Sequence, residues 1–217
     1  TLLLDINMRR PLKSRQVQFF HHLAHRLVGL GLRANHISMS SLLWAALALA
    51  CFAFSPQNPW WLLAGALFVQ LRLLANLLDG LMAVEAGDKH PHGPFWNEFP
   101  DRPADVLILL GLGVAADQTT LGLVCGLLAL GTAYTRALGM TLTGQDDFSG
   151  LMAKPQRMFV VTLACGFGIA ESLLLWNSAH SLTGALALIA LGCVFTIQQR
   201  TKNIMQILSE KENIEKS

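Results

Sequence analysis

The stretch that decides the fold runs from Asn76 to Asp105 and reads NLLDGLMAVEAGDKHPHGPFWNEFPDRPAD. It joins the end of one apolar run to the start of the next, and its polar residues recur at helical steps. Polar and acidic side chains are costly to place at a membrane boundary, and where they occur they usually serve a function. The stretch therefore predicts a site built between two helices that a short loop connects.

The first helix of this pair carries a stripe of four residues at positions i, i+3, i+4 and i+7, which places them on one helical face. The stripe consists of Asn76, Asp79, Gly80 and Ala83. Two members offer oxygen ligands, and two are small enough for a ligand to approach the backbone.

The second helix carries a stripe that advances in steps of four residues: Gly93, Asn97, Asp101 and Asp105. If the two stripes face each other, amide and carboxylate oxygens from both helices converge on one point. The converging residues are Asn76, Asp79, Asn97 and Asp101. Oxygen ligands of this kind suit a hard cation such as Mg²⁺ or Mn²⁺, and such ions stabilise charge during displacement at phosphorus.

The composition around this stretch is that of an integral membrane protein. The chain has 217 residues, of which 53% are hydrophobic and only 14% are charged, whereas soluble domains are about 25% charged. A net charge of +2 gives no basic field that would indicate a nucleic acid partner. The four cysteines stand alone in apolar runs, which favours packing roles. We expect one domain over residues 1–217.

The apolar runs predict an all-α bundle of six transmembrane helices, since a bilayer core requires about 20 apolar residues in a helix. The predicted spans are residues 37–54, 60–84, 99–116, 120–142, 158–176 and 182–198. Together they form a six-helix bundle over residues 36–199, preceded by a juxtamembrane segment over 1–35 and followed by a tail over 200–217. Within the first segment, residues 16–32 predict an amphipathic helix in the membrane interface.

The basic residues predict the orientation of these spans. All sixteen except Arg72 and Arg136 fall on one predicted side, and the three short connections on the other side contain none. By the positive-inside rule, both termini and the Glu85–Asn97 loop face the cytoplasm from an inner (plasma) membrane. An even number of spans agrees with this arrangement.

The residues from Asn76 to Asp101 resemble the signature of the CDP-alcohol phosphotransferase family, D-x2-D-G-x2-A-R-x8-G-x3-D-x3-D, with every spacing kept. Three positions differ: Asn76 and Asn97 replace the first and third aspartates, and Val84 replaces the arginine. An asparagine offers an oxygen but no charge, so this set balances one divalent ion rather than two unless Asp105 adds charge. We interpret the chain as a divergent branch of that family.

The resemblance implies transfer of a substituted phosphate from a CDP-linked lipid donor to a small or lipid alcohol in phospholipid biosynthesis, with release of CMP. It implies one or two Mg²⁺ or Mn²⁺ ions on the five oxygen-bearing residues Asn76, Asp79, Asn97, Asp101 and Asp105. It also implies a homodimer, and a general-base role for Asp101. The cytidine end of the donor is expected near Gly80, Ala83 and Gly93. Asn35 is expected either at the nucleotide or as a helix N-cap.

Other polar residues in the predicted spans have more than one interpretation. Arg136 is expected to form a basic pocket with Lys154 and Arg157 for an acceptor that bears a phosphate. The alternative is that Lys154 and Arg157 simply mark the cytoplasmic boundary. Arg72 is expected either in an intramembrane ion pair with Glu171 or in a direct role toward the substrate.

Two alternatives to an enzyme follow from the same residues. The changes at Asn76, Asn97 and Val84 are compatible with an impaired membrane protein that binds a CDP-lipid or a partner protein without turnover. A small transporter is disfavoured because no internal repeat is visible and the charged residues gather at one membrane face.

Overall fold

The computed structural model describes residues 18–85, 92–175 and 179–215, and within these ranges the chain is all-helical. We number the eight helices of the described ranges in chain order. They are α1 (Gln18–Gly29), α2 (Ala34–Phe54), α3 (Trp60–Glu85), α4 (Gly93–Glu98), α5 (Asp101–Ala115), α6 (Thr119–Thr143), α7 (Lys154–Leu175) and α8 (His180–Glu215). The predicted all-α class is therefore confirmed.

Five of these helices, α2, α3, α6, α7 and α8, are long and apolar enough to cross a membrane. The third predicted span differs, because its first residues form the separate helix α4 and α5 has only 15 residues. A helix of that length is shorter than the hydrocarbon core of a typical bilayer. Pro100 lies immediately before α5, and the missing proline N–H favours a helix start at this point. The count of six spans stays a prediction.

The C-terminal boundary also differs from the sequence expectation. Residues 200–215 continue α8 without a break, so the predicted tail, as far as it is described, is part of the longest helix in the described chain. Lys211 Nζ donates to the Thr143 carbonyl oxygen at 3.0 Å, which ties this extension to the end of α6. That end is defined by Gly144, whose φ of 76° and N–H bond to the Met140 carbonyl stop the helix.

The short helix α5 is the centre of the bundle and packs between α2 and α6. Its side chains Ile108, Leu109 and Leu112 are fully buried. The four cysteines are also buried and free, in agreement with packing roles. Large apolar residues on the outer helices remain exposed, as expected for surfaces that contact lipid tails. The central position of α5 fixes its acidic N-terminal end against α3 and α7.

Helix α1 packs on the C-terminal half of α3. Ala24 is fully buried in a small cluster with Leu78, Leu81 and Met82 of α3. On the opposite face, His22 and Arg26 are exposed. The helix thus covers the segment of α3 that carries the first polar stripe.

Glycines allow α5 and α6 to approach closely. The Cα atoms of Gly113 and Gly122 are in direct contact, since a Cβ built on Gly122 would lie 2.7 Å from the Leu109 carbonyl oxygen and 2.9 Å from Gly113 Cα. Gly126 faces Val106 in the same interface. The small-residue pair Gly122 and Gly126 therefore makes a contact within the chain.

We expect Gly122→Ala to destabilise the bundle by about 1–3 kcal/mol, because the added methyl group meets backbone atoms that cannot move away easily. The measurement is the thermal unfolding midpoint of the purified chain in detergent, which should fall by about 2–4 °C per kcal/mol. Gly184→Ala is the matched control, since a Cβ on this α8 glycine meets nothing within 4 Å. Equal midpoints for the two variants would contradict the proposed close contact.

Candidate functional site

Acidic and basic side chains from α3, α5 and α7 form one buried cluster at the predicted cytoplasmic end of the bundle. Asp101 and Asp105 lie one turn apart on α5, and Lys154 and Arg157 lie one turn apart on α7. Arg72 of α3 completes the set. We call these five residues, together with Asp79, the ion-pair cluster.

Arg72 bridges the two aspartates of α5. Its Nη2 donates to Asp101 Oδ1 at 3.0 Å, to Asp105 Oδ1 at 2.7 Å and to the Asp101 carbonyl oxygen at 3.2 Å. The predicted pair between Arg72 and Glu171 is wrong, because Glu171 accepts hydrogen bonds from Ser181 and from the backbone of His180. The α5 carboxylates lie within hydrogen-bond distance of Arg72, whereas Glu171 lies near the C-terminal end of α7.

Asp105 is held by two guanidinium groups. Arg72 occupies Oδ1, and Arg157 Nη2 donates to Oδ2 at 2.8 Å. Arg157 also donates to Thr132 Oγ1 at 3.1 Å and to the Met152 carbonyl oxygen at 2.9 Å. Both Asp105 oxygens already have a guanidinium partner, and Asp105 does not line the cavity described below, so this geometry does not support the predicted ligand role of Asp105.

Asp101 has a different environment for each of its two oxygens. Oδ1 accepts from Arg72 and from the side-chain amide of Asn76, whereas Oδ2 accepts from Lys154. Asp101 and Lys154 both line the large cavity described below. The predicted catalytic carboxylate therefore lies where a substrate can reach it, with its negative charge matched by two basic groups.

Asp79 is buried beside this network. Ser38 of α2 donates to Asp79 Oδ2 at 2.6 Å, while Oδ1 has no hydrogen-bond partner among the described residues. Asp79 is close enough to Asp101 and Lys154 for their charges to act on it. Sequence reasoning gave Ser38 no role, because Ser40 and Ser41 follow it closely and nothing in the pattern distinguishes one serine from the others.

The formal charges of the ion-pair cluster cancel. The carboxylates Asp79, Asp101 and Asp105 are matched in number by the basic groups Arg72, Lys154 and Arg157. A buried ion that loses its partner costs several kcal/mol, so this balance is a condition for burying the site.

A cavity of about 1230 Å³ opens beside the cluster and has chemically distinct walls. Its polar part includes Asp101, Lys154, Arg157 and Arg200, and its apolar part is formed by leucines and aromatic rings. The apolar lining comprises Phe20, Leu73, Leu74, Leu77, Phe95, Phe99, Leu130, Tyr134, Met140 and Phe148. A cavity of this size and polarity suits a ligand with a charged head and an apolar body.

Arg136 lines the same cavity, and its role toward an acceptor stays a prediction. Its Nη2 donates to Glu98 Oε1 at 2.6 Å, and its guanidinium lies 5.5 Å from the centre of the Phe148 ring. Glu98 also pairs with Arg102 one turn away. Arg136 and Arg157 therefore border one cavity, and each has a carboxylate partner.

The loop between α6 and α7 holds Phe148 in place over this cavity. Asn203 of α8 donates to Asp147 Oδ2 at 2.9 Å, and Arg200 donates to the Ser149 carbonyl oxygen at 3.0 Å. Burial raises the pKa of the Asp147 carboxyl, but hydrogen bonds from Ser149 and Asn203 outweigh it, so the pKa is below its usual value. Arg200 was assigned by sequence only to the cytoplasmic boundary, since its loop partners are remote in the chain.

The structure places the other predicted site residues on α2, α3 and α4, around the ion-pair cluster. Gly80 is buried and Ala83 half-buried on α3, and Gly93 begins α4 with open space at its Cα. Asn35 lies inside the first turn of α2, whose N-cap residue is Arg33, so the N-cap alternative for Asn35 is wrong. The backbone of Asn97 belongs to α4, but its side chain lies outside the described part of the structure.

The residues present fit a single divalent cation under one condition. Asp79 Oδ1 is a buried acceptor without a partner, and an Asn76 amide that donates to Asp101 leaves its own oxygen free. The condition is that the Lys154 ammonium moves away from Asp101 Oδ2, so that this oxygen can bind the ion. Among the described residues, no group of three or more His, Cys, Asp and Glu side chains is arranged to hold a metal ion.

We expect Asp105→Asn to destabilise the chain by about 3–5 kcal/mol, because it leaves Arg72 and Arg157 buried with less negative charge than they need. The unfolding midpoint in detergent is the measurement. Asp117→Asn is the control, since Asp117 is exposed and has a φ of 53° that asparagine tolerates. If Asp105→Asn unfolds like the control, Asp105 does not hold the two arginines together.

The chain matches no protein-family model and no curated protein. It is similar to solved structures of the phosphatidylinositol phosphate synthase PgsA1 of Mycobacterium tuberculosis. The structure in complex with manganese and citrate has 23% identity and a TM-score of 0.71, covering 86% of this chain and 88% of that chain. The structure with CDP-DAG bound has 22% identity and a TM-score of 0.68, with coverage of 87% and 94%.

The apo form of the same synthase gives 22% identity, a TM-score of 0.66 and coverage of 84% of this chain and 94% of that chain. Identity at this level establishes likeness of fold. The chain therefore adopts the helical fold of these phosphatidylinositol phosphate synthase structures over most of its length.

Proposed function

We propose that the chain is a membrane enzyme that transfers a phosphatidyl-like group from a CDP-linked lipid to an alcohol and releases CMP. The observation that carries this proposal is the cavity, which joins a cluster of buried carboxylates to a wall of apolar and aromatic side chains. A CDP-lipid has the same division into a charged head and an apolar body. The fold shared with a synthase structure that has CDP-DAG bound supports the same function.

The sequence pattern of Asn76 to Asp101 supports the assignment of this chain to a divergent branch of the CDP-alcohol phosphotransferases. In the proposed arrangement α5 is the third of six spans, and its short length is completed by α4 at the cytoplasmic surface. Helix α1 lies in the inner interface, with its exposed His22 and Arg26 toward water and headgroups. The site then opens where a soluble alcohol meets a membrane-borne donor.

The donor's diphosphate is placed beside Asn76, Asp79 and Asp101, and its cytidine near Gly80, Ala83 and Gly93 with Asn35 alongside. A divalent ion, Mg²⁺ or Mn²⁺, held by Asn76, Asp79, Asp101 and Asn97 would balance the negative charge of the diphosphate. The lipid chains follow the apolar wall toward the bilayer. Open space at Gly93 leaves room for the nucleotide, because no Cβ projects from this residue.

In the proposed reaction the acceptor hydroxyl attacks the β-phosphorus of the donor, and the bond from that phosphorus to the bridging oxygen breaks. The hydroxyl proton passes to the Asp101 carboxylate, and CMP leaves with the bridging oxygen. Arg136 and Arg157 line the acceptor side of the cavity. Positioning the hydroxyl next to a carboxylate is the main contribution of these residues to the rate.

A second candidate function is a membrane protein that binds a CDP-lipid or a partner without turnover. It is favoured by one observation: each oxygen of Asp101 and Asp105 already has a basic partner. Calorimetry with CDP-diacylglycerol separates the two candidates, since binding without CMP release on addition of any alcohol supports this second function.

We expect Asp79→Asn and Asp101→Asn each to lower CMP release from CDP-diacylglycerol by at least about 100-fold, the scale of loss when a general base is removed. Release should also require Mg²⁺ or Mn²⁺ and stop on chelation. The assay uses the purified chain with a panel of phosphorylated, zwitterionic and lipid alcohols. Glu210→Gln, an exposed change on α8, is the control and should keep full activity.

An unmodified chain that never releases CMP with any alcohol of the panel argues against the enzyme. Full activity of Asp101→Asn would show that another group accepts the proton.

A further inference from the structure

The two oxygens of Asp101 are held by partners that differ in burial. Arg72, on the Oδ1 side, has a fully buried side chain and donates to three acceptors on α5. Lys154, on the Oδ2 side, has a side chain that is 21% exposed and lines the cavity. A lysine carries a point charge on a flexible stem, whereas Arg72 is enclosed on all sides and bonds its acceptors through Nη2. Lys154 is therefore the partner of Asp101 that can leave.

A hydrogen-bond acceptor without a donor lies next to the pair of Asp101 and Lys154. Asp79 Oδ1 is buried without a hydrogen bond, and the charges of Asp101 and Lys154 both act on Asp79. A buried carboxylate oxygen with no partner is costly. A cation shared by Asp79 and Asp101 removes this cost, and the only described group in its way is the Lys154 ammonium.

An ammonium and a divalent ion cannot occupy the same carboxylate oxygen. Both need contact distance to Oδ2, and at that separation like charges repel by several kcal/mol in a partly buried site. Binding of the ion therefore requires the ammonium to move away. The cavity beside Lys154 provides the space for this movement.

We propose that Lys154 and a divalent cation compete for Oδ2 of Asp101, so that Lys154 holds the site in the metal-free chain and is released into the cavity when the ion binds. This inference rests on the metal ion of the proposed function. Once released, the ammonium adds a positive charge to the cavity where a diphosphate is placed. Cation binding and anion binding then strengthen each other, since coupling between two ligands is reciprocal.

The experiment is a titration of the full chain in detergent with Mn²⁺ alone, followed by the electron paramagnetic resonance signal of the free ion. Lys154→Gln keeps a hydrogen-bond donor for Asp101 but removes the competing charge. We expect it to bind Mn²⁺ about tenfold more tightly than the unmodified chain, which corresponds to about 1.4 kcal/mol. Lys154→Arg, which keeps the charge, should not tighten binding.

Arg102→Gln is the matched control. Arg102 also lines the cavity and pairs with a carboxylate, but its partner Glu98 is outside the ion-pair cluster, so Mn²⁺ affinity should stay unchanged. Equal or weaker Mn²⁺ binding by Lys154→Gln overturns the competition, and so does the absence of Mn²⁺ binding by both chains.

A second measurement needs no variant and covers the case in which Lys154→Gln fails to fold. The unmodified chain is treated with a lysine-acylating reagent with and without saturating Mn²⁺, and the labelling of Lys154 is read by mass spectrometry. We expect labelling to rise several-fold with Mn²⁺, because the ammonium leaves its carboxylate. Unchanged labelling overturns the competition.

The outcome is independent of the test of the proposed function. CMP release by the unmodified chain together with unchanged Mn²⁺ affinity in Lys154→Gln removes the competition and leaves the enzyme in place. If Lys154→Gln binds Mn²⁺ more tightly but the unmodified chain never releases CMP, the competition stands and the proposed enzyme does not.

Discussion

Charge balance inside the bundle is the constraint on which the rest of the structure depends. Arg72 is fully buried on α3, and it can be so only because Asp101 and Asp105 of α5 accept its hydrogen bonds. Those carboxylates in turn hold Lys154 and Arg157 of α7. Three helices are thus joined at one level by interactions that water cannot replace. Hydrophobic packing between lipid-facing helices gives little such specificity, because lipid tails are as apolar as leucine.

Much of this site was accessible from the sequence because it follows from helical periodicity. Steps of three and four residues placed Asn76 and Asp79 on one face of α3 and Asp101 and Asp105 on one face of α5, and the structure brings these faces together. The all-α class followed from apolar length alone. These inferences need only the rise per residue and the number of residues per turn of an α-helix, which are nearly the same in every α-helix.

The partners of the charged residues could not be predicted in this way. Arg72 was assigned to Glu171 because both lie in apolar runs, but pairing depends on which helices are neighbours at which depth. The division of the third span at Pro100 and the continuation of α8 to Glu215 were missed for a related reason. The length of an apolar run predicts the part of a helix that lies inside a membrane. It does not predict where polar residues extend that helix or where the helix is interrupted.

Because the chain is synthesised from its N-terminus, the buried arginine affects the stability of α3 in the membrane before α5 has been made. Arg72 emerges from the ribosome 29 residues before Asp101, and at the centre of a lone transmembrane helix an arginine costs about 2.5–3.5 kcal/mol on the insertion scale. Helix α3 therefore gains its full stability in lipid only after α5 has been made and has reached it.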